Sequence, residues 1–181
     1  MGSPICSREH AIGWGAPDPT YGHHVTGGPV TPAVDLLRRL GIEHRVVAYD
    51  HDPSHPSFGD EAVEALGVPP EHVFKTLMVT LDGGSHALGV IPVAERLDLK
   101  AIAAAAGAKR AVMTDPAVAE RRSGYVVGGI SPFGHRRPCP VFVDEWAALL
   151  EEVFCSAGRR GLEIAVAPDA FARAVGHDSR H

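Results

Sequence analysis

Apolar residues between Thr31 and Gly176 recur at two periods, and their alternation marks out the elements. Ala33, Leu36, Leu37 and Leu40 fall at i, i+3, i+4 and i+7. With Thr31 as cap, Pro32 at the first helical position and Gly41 beyond the end, they predict a helix. Glu43 to Tyr49 alternates, with Val47 and Tyr49 on one face and Val46 and Ala48 on the other, and predicts a strand. Phe58 opens a second helical stretch through Glu61, Ala62, Val63 and Leu66, closed by Gly67. After the turn at Pro69 and Pro70, Val73 to Leu81 reads as a strand: Val73, Lys75, Leu77, Val79 and Leu81 share one face, and Phe74, Thr76, Met78 and Thr80 the other.

Asp82, Gly83 and Gly84 predict a hairpin turn into a returning strand at Ala87 to Ile91. Asp98 caps a helix through Leu99, Ile102, Ala103 and Ala106 that Gly107 ends; Val112 and Met113 suggest a short strand, and Asp115 with Pro116 starts a helix toward Arg121. Tyr125, Val126 and Val127 read as a strand ending in Gly128 and Gly129. Val141 to Val143 reads as a strand, Trp146 to Leu150 as a short helix, Val153 to Ser156 and Leu162 to Ala167 as a hairpin, and Pro168 to Val175 as a closing helix ended by Gly176. Hairpins mixed with helices, without strict βαβ alternation, predict an α+β fold with a curled, mixed or mostly antiparallel sheet.

Residues 1–30, rich in Gly, Pro, His and Ser, have no apolar period and read as a flexible leader; residues 31–176 form one domain, and 177–181 a frayed tail. The 17 Lys and Arg stand against 22 Asp and Glu, a net charge of -5, so the chain is no basic nucleic-acid coat and any RNA contact must be local. Cys6, Cys139 and Cys155 are far apart and contain no C-x-x-C, which argues against a zinc knuckle or a disulfide framework and suits a reducing cytosol. No apolar run is long enough to cross a bilayer, and the N-terminus lacks the order of a signal peptide, so the expectation is a cytoplasmic protein with no membrane partner.

Chemistry concentrates in G-Y-V-V-G-G-I-S-P-F-G-H-R-R, Gly124 to Arg137. Gly128 and Gly129 let a ligand approach the main chain, and His135, Arg136 and Arg137 put positive charge at the exit; a glycine turn with a solvated basic end is the plainer alternative. Lys75 stands on an apolar strand face, so it either escapes to solvent at the strand end or projects into a pocket as an anchor for a carbonyl or phosphate oxygen. His51 and His55 have the spacing of a helical metal pair, but Pro53 and Pro56 argue against a helix there, and no metal or other cofactor is expected. Cys155 and Ser131 stand in no G-x-S-x-G elbow, and none of the histidines shows an orienting carboxylate at recognisable spacing, so no protein nucleophile announces itself.

The stretch S-G-Y-V-V-G-G-I-S-P-F-G resembles the signature of the YbaK/EbsC family, aminoacyl-tRNA deacylases related to the editing domain of bacterial prolyl-tRNA synthetases. T-P-A-V-D-L-L from Thr31, Y-D-H-D-P from Tyr49, F-G-D-E-A from Phe58, F-K-T-L from Phe74, L-D-L-K from Leu97 and G-R-R-G-L from Gly158 match it in the same order, covering Thr31 to Gly176. The resemblance implies a barrel-like sheet flanked by helices. It also implies cleavage of mischarged Cys-tRNA(Pro), in which the cysteinyl thiol attacks its own ester and the tRNA 3′ oxygen leaves, so that the protein supplies a pocket and aimed donors instead of a triad. A non-catalytic module docking on tRNA or prolyl-tRNA synthetase is the alternative. DNA is not an expected partner.

By residue match, the resemblance places Lys75 against the terminal adenosine or phosphate and the carbonyl region, with Tyr49, Phe58 and Thr76 shaping the pocket. It places Gly128, Gly129, Ile130 and Ser131 around the ester, Ser156 at the closing turn, and Arg121, Arg136, Arg137, Arg159 and Arg160 along the acceptor stem. The chain departs from the family pattern at Phe133, usually aliphatic, at His135 to Arg137, usually lysine-rich, and at its S-A-G turn, more often S-G-G. Phe133 bears on pocket size, and so on which aminoacyl group is preferred.

Overall fold

The computed structural model describes residues 23–24 and 30–178. Among the described residues five α-helices flank an eight-stranded mixed sheet. The strands are β1 (His23–His24), β2 (Arg45–Ala48), β3 (Val73–Leu81), β4 (His86–Pro92), β5 (Ala111–Met113), β6 (Val141–Val143), β7 (Val153–Arg159) and β8 (Leu162–Val166). The helices are α1 (Pro32–Arg39), α2 (Phe58–Leu66), α3 (Leu99–Ala105), α4 (Pro116–Ser123) and α5 (Pro168–Asp178). The strand path β1-β2-β8-β7-β3-β4-β6 is open, so the sheet curls without closing into a barrel. β3–β7 and β4–β6 are parallel, and the other pairs antiparallel. No helix among the described residues is long and apolar enough to cross a membrane.

The caps act as the side chains dictate. Thr31 Oγ1 accepts from the Val34 amide at 3.2 Å, Ser57 accepts from Asp60, and Asp98 and Asp115 each accept two first-turn amides. Gly67 and Gly124 end α2 and α4 in the left-handed region. The two faces of β3 lie in different parts of the core. Phe74 and Met78 join the large cluster under α1 and α5, which includes Phe133 and Phe171, whereas Val73 packs with Ala62 of α2, and Val79 and Leu81 with Ile102 and Ala103 of α3.

One feature of the sheet creates the site. β4 covers one edge of β3 from Phe74 to Thr80. The opposite edge is shared: β7 pairs with Val73 and Phe74, and β5 with Val79, Thr80 and Leu81. Thr114 adds one amide to Met78 O, which leaves the backbone of Lys75, Thr76 and Leu77 without a strand on that side. β7 leaves its ladder with β8 at a bulge, where Ala157 and Gly158 between Ser156 and Arg159 have no counterpart on β8.

Two expectations are corrected, and two details are added. Tyr125 to Val127 is not a strand but a loop, because side chains satisfy its backbone where a ladder would: Val127 N donates to Glu120 Oε1 at 2.8 Å, and Arg160 donates to Val127 O through Nε at 2.9 Å and Nη2 at 2.7 Å. Gly176 does not end α5, which continues through His177 to Asp178, since Gly176 keeps φ negative and makes no left-handed cap. The short helix expected at Trp146 to Leu150 is a 3₁₀ helix at Glu145–Leu149, capped by Asp144. Within the stretch read as a leader, His23 and His24 pair with Ala48 and Val47 and cover the β2 edge. The rest of the leader before Val30, and residues 179–181 of the tail, lie outside the described residues.

Candidate active site

The gap beside β3 opens into a cavity of about 400 Å³. Lys75, Thr76, Leu77 and Met78 form one wall, Pro56 and Ser57 with Phe58 and Gly59 of α2 another, and Val127, Gly128 and Ile130 of the glycine loop a third; Val93, Met113, Thr114, Pro116 and Ala119 complete it. Of the two readings of Lys75, the structure takes the pocket. Its Nζ donates to Val93 O at 2.9 Å, and Val93 is held in turn by its amide on Val73 O. Burial lowers the Lys75 pKa, opposed by the Asp60 and Glu95 carboxylates. Thr76 Oγ1 is buried in the wall with no hydrogen-bond partner, a polar atom that a bound ligand would satisfy.

The glycine loop is packed tightly. Gly128 has φ of 85°, and a Cβ built on it would lie 2.5 Å from Phe58 Cδ2. A Cβ on Gly129 would lie 3.0 Å from the Arg159 Cα and the Arg160 amide. The Arg160 guanidinium sits 4.5 Å from the Phe58 ring centroid while bonding Val127 O. Behind the loop, Tyr125 donates its buried hydroxyl to Phe133 O at 2.7 Å and Gly134 O at 3.1 Å.

Thus Lys75, Phe58, Thr76, Gly128 and Ile130 come together in the cavity. The others do not line it. Gly129 bonds Val126 O through its amide, and Ser131 is fully buried, its Oγ accepting from Phe133 N and its carbonyl bonded to His135 Nε2 at 2.6 Å. Tyr49 and Ser156 lie beside Glu163, which pairs with Ser156 in register. Burial, then the Glu163 and Glu61 carboxylates, push the Tyr49 phenol well above its ordinary range. Arg121, Arg136 and Arg137 are exposed at the end of α4, and Arg159 is exposed at the β7–β8 turn.

Three features went unseen in the sequence reading. His51 does have a carboxylate partner: Glu61 Oε2 lies 2.8 Å from its Nδ1, and Glu61 also accepts from the Asp52 amide. Glu61 lies one turn after Phe58, so the helical period placed it on the Phe58 side, but nothing local tied it to the loop before α2. Glu163 is buried, and burial raises its carboxyl to about 8; the alternation of Leu162, Ile164 and Val166 had already put it on the opposite face. Val93, whose carbonyl holds Lys75, had no signal at all.

The candidate nucleophiles are occupied or closed off. Burial, then Glu163, raises the Cys155 thiol well above its ordinary range. His55 bonds Ser57 O and lies 3.6 Å from Glu64, and among the described residues no three His, Cys, Asp or Glu side chains are grouped to hold a metal. The cavity therefore offers a cation, an unpartnered hydroxyl and an open stretch of strand backbone around a small apolar space. That set can hold an acyl ester and polarise its carbonyl.

The chain is 31% identical over 141 residues to EbsC of Enterococcus faecalis (strain ATCC 700802 / V583), named as a candidate Cys-tRNA(Pro)/Cys-tRNA(Cys) deacylase; the match covers 78% of this chain and 85% of that one. A solved structure described as a candidate trans-editing enzyme for prolyl tRNA synthetase superposes with a TM-score of 0.70 at 23% identity, covering 82% of this chain and 94% of its own. Another, of a hypothetical protein, gives 0.70 at 24% identity, covering 81% and 95%. These two likenesses show the fold. Residues 53–174, which include Phe58, Lys75 and the glycine loop, match the aminoacyl-tRNA editing domain, and the chain belongs to that family.

Proposed function

We propose that the protein is a trans-editing deacylase that clears Cys-tRNA(Pro), with Lys75 as the anchoring cation of its pocket. The observation that carries this reading is a cavity with aimed donors whose neighbouring protein nucleophiles are buried or engaged. The reaction then draws its nucleophile from the substrate. The cysteinyl sulfur attacks its own ester carbonyl, the acyl–oxygen bond breaks, and the 3′ oxygen leaves with the thiol proton, giving a four-membered thiolactone. Lys75 and the backbone of Lys75 to Leu77 face the developing oxyanion, Thr76 Oγ1 gains a partner, and Phe58, Gly128 and Ile130 limit the size of the acyl group. Tyr49, packed on the cluster that holds Ala62 of α2, and Ser156, beside Glu163, brace the α2 wall. Gly129 and Ser131 shape the loop, and Arg121, Arg136, Arg137 and Arg159 lie along the acceptor stem of tRNA(Pro). Docking on prolyl-tRNA synthetase would bring the protein to its substrate. A small apolar pocket separates cysteine from alanine or proline by only about 1 to 3 kcal/mol, so the thiol supplies the rest of the discrimination through its chemistry.

Deacylation of Cys-tRNA(Pro), S-methylcysteinyl-tRNA(Pro), Ala-tRNA(Pro) and Pro-tRNA(Pro) by wild type and Lys75→Ala tests this. Wild type should cleave the cysteinyl ester alone, and Lys75→Ala should not. The lowered Lys75 pKa implies that the rate falls at a pH below that expected of an ordinary lysine, because the anchor is lost when the amine becomes neutral. Cleavage of the S-methyl ester at the same rate would refute self-assisted attack. Tight binding of all four without turnover would leave a non-catalytic tRNA-binding module.

A further inference from the structure

Four arginines converge at the C-terminal end of α4. Arg121 and Arg122 belong to its last turn, and Arg136 and Arg137 return from the far side of the glycine loop, pinned by Arg136 N on Ser123 O at 2.9 Å and Arg137 N on Arg122 O at 3.1 Å. Among the described residues none of the four forms an ion pair, although acidic residues outnumber Lys and Arg 22 to 17 over the chain. The α4 carbonyl end offsets part of this charge, but only as a fractional pole. His86, at the start of β4, is close enough to Arg122 to feel its charge: burial and then Arg122 lower its pKa. Arg122 Nε and His86 Nδ1 are both buried without a hydrogen-bond partner. Arg122 Nε is always a donor and His86 Nδ1 is one in the matching tautomer, so an oxyanion drawn in by this uncompensated positive rim can accept from both at once.

We infer that Arg122 and His86 form a phosphate subsite, ringed by Arg121, Arg136 and Arg137, which takes a backbone phosphate of the tRNA whose 3′ ester occupies the cavity. The inference rests on the reading of the cavity given above. Its geometry is set by α4, whose first residue, Pro116, lines the cavity. Arg122 stands six residues further, about 9 Å at the helical rise. That is two to three base-pair steps of about 3.4 Å, so the phosphate engaged lies within a few nucleotides of the esterified end. Phosphate contacts of this kind fix the register of a polynucleotide without reading its sequence.

Uncharged tRNA, which cannot be deacylated, separates this inference from the catalytic one. Its binding is measured against salt for wild type, Arg122→Gln, Arg122→Lys and Arg39→Gln, the last removing one charge from α1, where Arg39 pairs with Asp35. Arg122→Gln should weaken binding and reduce the slope of log K against log salt by about 0.7 to 0.9, one phosphate contact. Arg122→Lys and Arg39→Gln should keep the wild-type slope. In wild-type protein, where no variant need fold, tRNA should shift the His86 imidazole NMR signals, and inorganic phosphate should do so only at far higher concentration. An unchanged slope in Arg122→Gln, His86 signals that tRNA leaves in place, or inorganic phosphate saturating His86 while tRNA still binds normally would each overturn the subsite.

Discussion

Replacing Gly128 by alanine should destabilise the protein in two separable ways. The first is conformational: at φ of 85° a Cβ meets the following carbonyl oxygen, costing about 1 to 2 kcal/mol. The second is steric. The new Cβ would lie 2.5 Å from Phe58 Cδ2 and 2.7 Å from Cγ, far inside contact distance. Phe58 cannot swing away cheaply, because Arg160 lies over one face and His51 is 5.9 Å from its centroid. Forcing a methyl into such a contact costs about 1 to 3 kcal/mol more. Gly41→Ala isolates the first effect, since Gly41 has φ of 63° with nothing within 4 Å of a built Cβ. Urea denaturation of Gly41→Ala, Gly128→Ala, Phe58→Ala and the Gly128→Ala/Phe58→Ala double variant completes the cycle. Gly128→Ala should cost more than Gly41→Ala by the steric increment, and that increment should vanish once Phe58 is truncated, a coupling of about 1 to 3 kcal/mol. Equal costs for the two glycine variants, or a cost at Gly128 that survives removal of the ring, would refute the packing argument.

Three further outcomes are expected. Glu163 keeps its proton in the folded state to about pH 8 but ionises near its ordinary 4.5 when unfolded, so stability should fall as pH rises between those values, by at most roughly 1.4 kcal/mol per pH unit; Glu163→Gln should flatten that slope in urea melts from pH 5 to 8. Tyr125→Phe leaves the carbonyls of Phe133 and Gly134 without their buried donor and should cost about 1 to 3 kcal/mol in thermal unfolding, with an unchanged melt refuting the bond. Arg160→Gln should lower stability and raise KM for the aminoacyl ester without altering the salt dependence of tRNA binding; a slope reduced by about one would instead put Arg160 on a phosphate.

The elements were legible because each is written locally. β3 was readable to the residue from nine positions of alternation, and the helix starts from Thr31, Asp98 and Asp115, whose side chains accept the amides their positions require. The loop at Tyr125 to Val127 was not, because a β-branched run followed by glycine has the same composition whether a neighbouring strand or the side chains of Glu120 and Arg160 satisfy its backbone. Lys75, Phe58 and the glycines were found as separate motifs. That they share one cavity depends on β5 and β7 stopping short of each other along β3, a long-range fact with no local signature. Glu61 beside His51 belongs to the same class: the partner is 10 residues away, across a helix start.

The sheet gap and the loop that fills it also explain why one contact matters to several elements. Phe58 from α2, Gly128 from the loop after α4 and Arg160 from the β7–β8 turn stack on one another, and Arg160 ties the stack to Val127 O. β7 cannot seal the middle of β3, because its bulge turns it toward Gly129, and the turn that results places Arg160 over Phe58. The feature that opens the cavity therefore supplies the clamp that holds its far wall. A cation lent to Val127 and Phe58 cannot also wrap a phosphate at full strength, since its best-directed donors already have an acceptor. Among the described residues the side chains of Arg121, Arg122, Arg136 and Arg137 at the end of α4 carry no such bond, and the phosphate subsite proposed above draws on them for that reason.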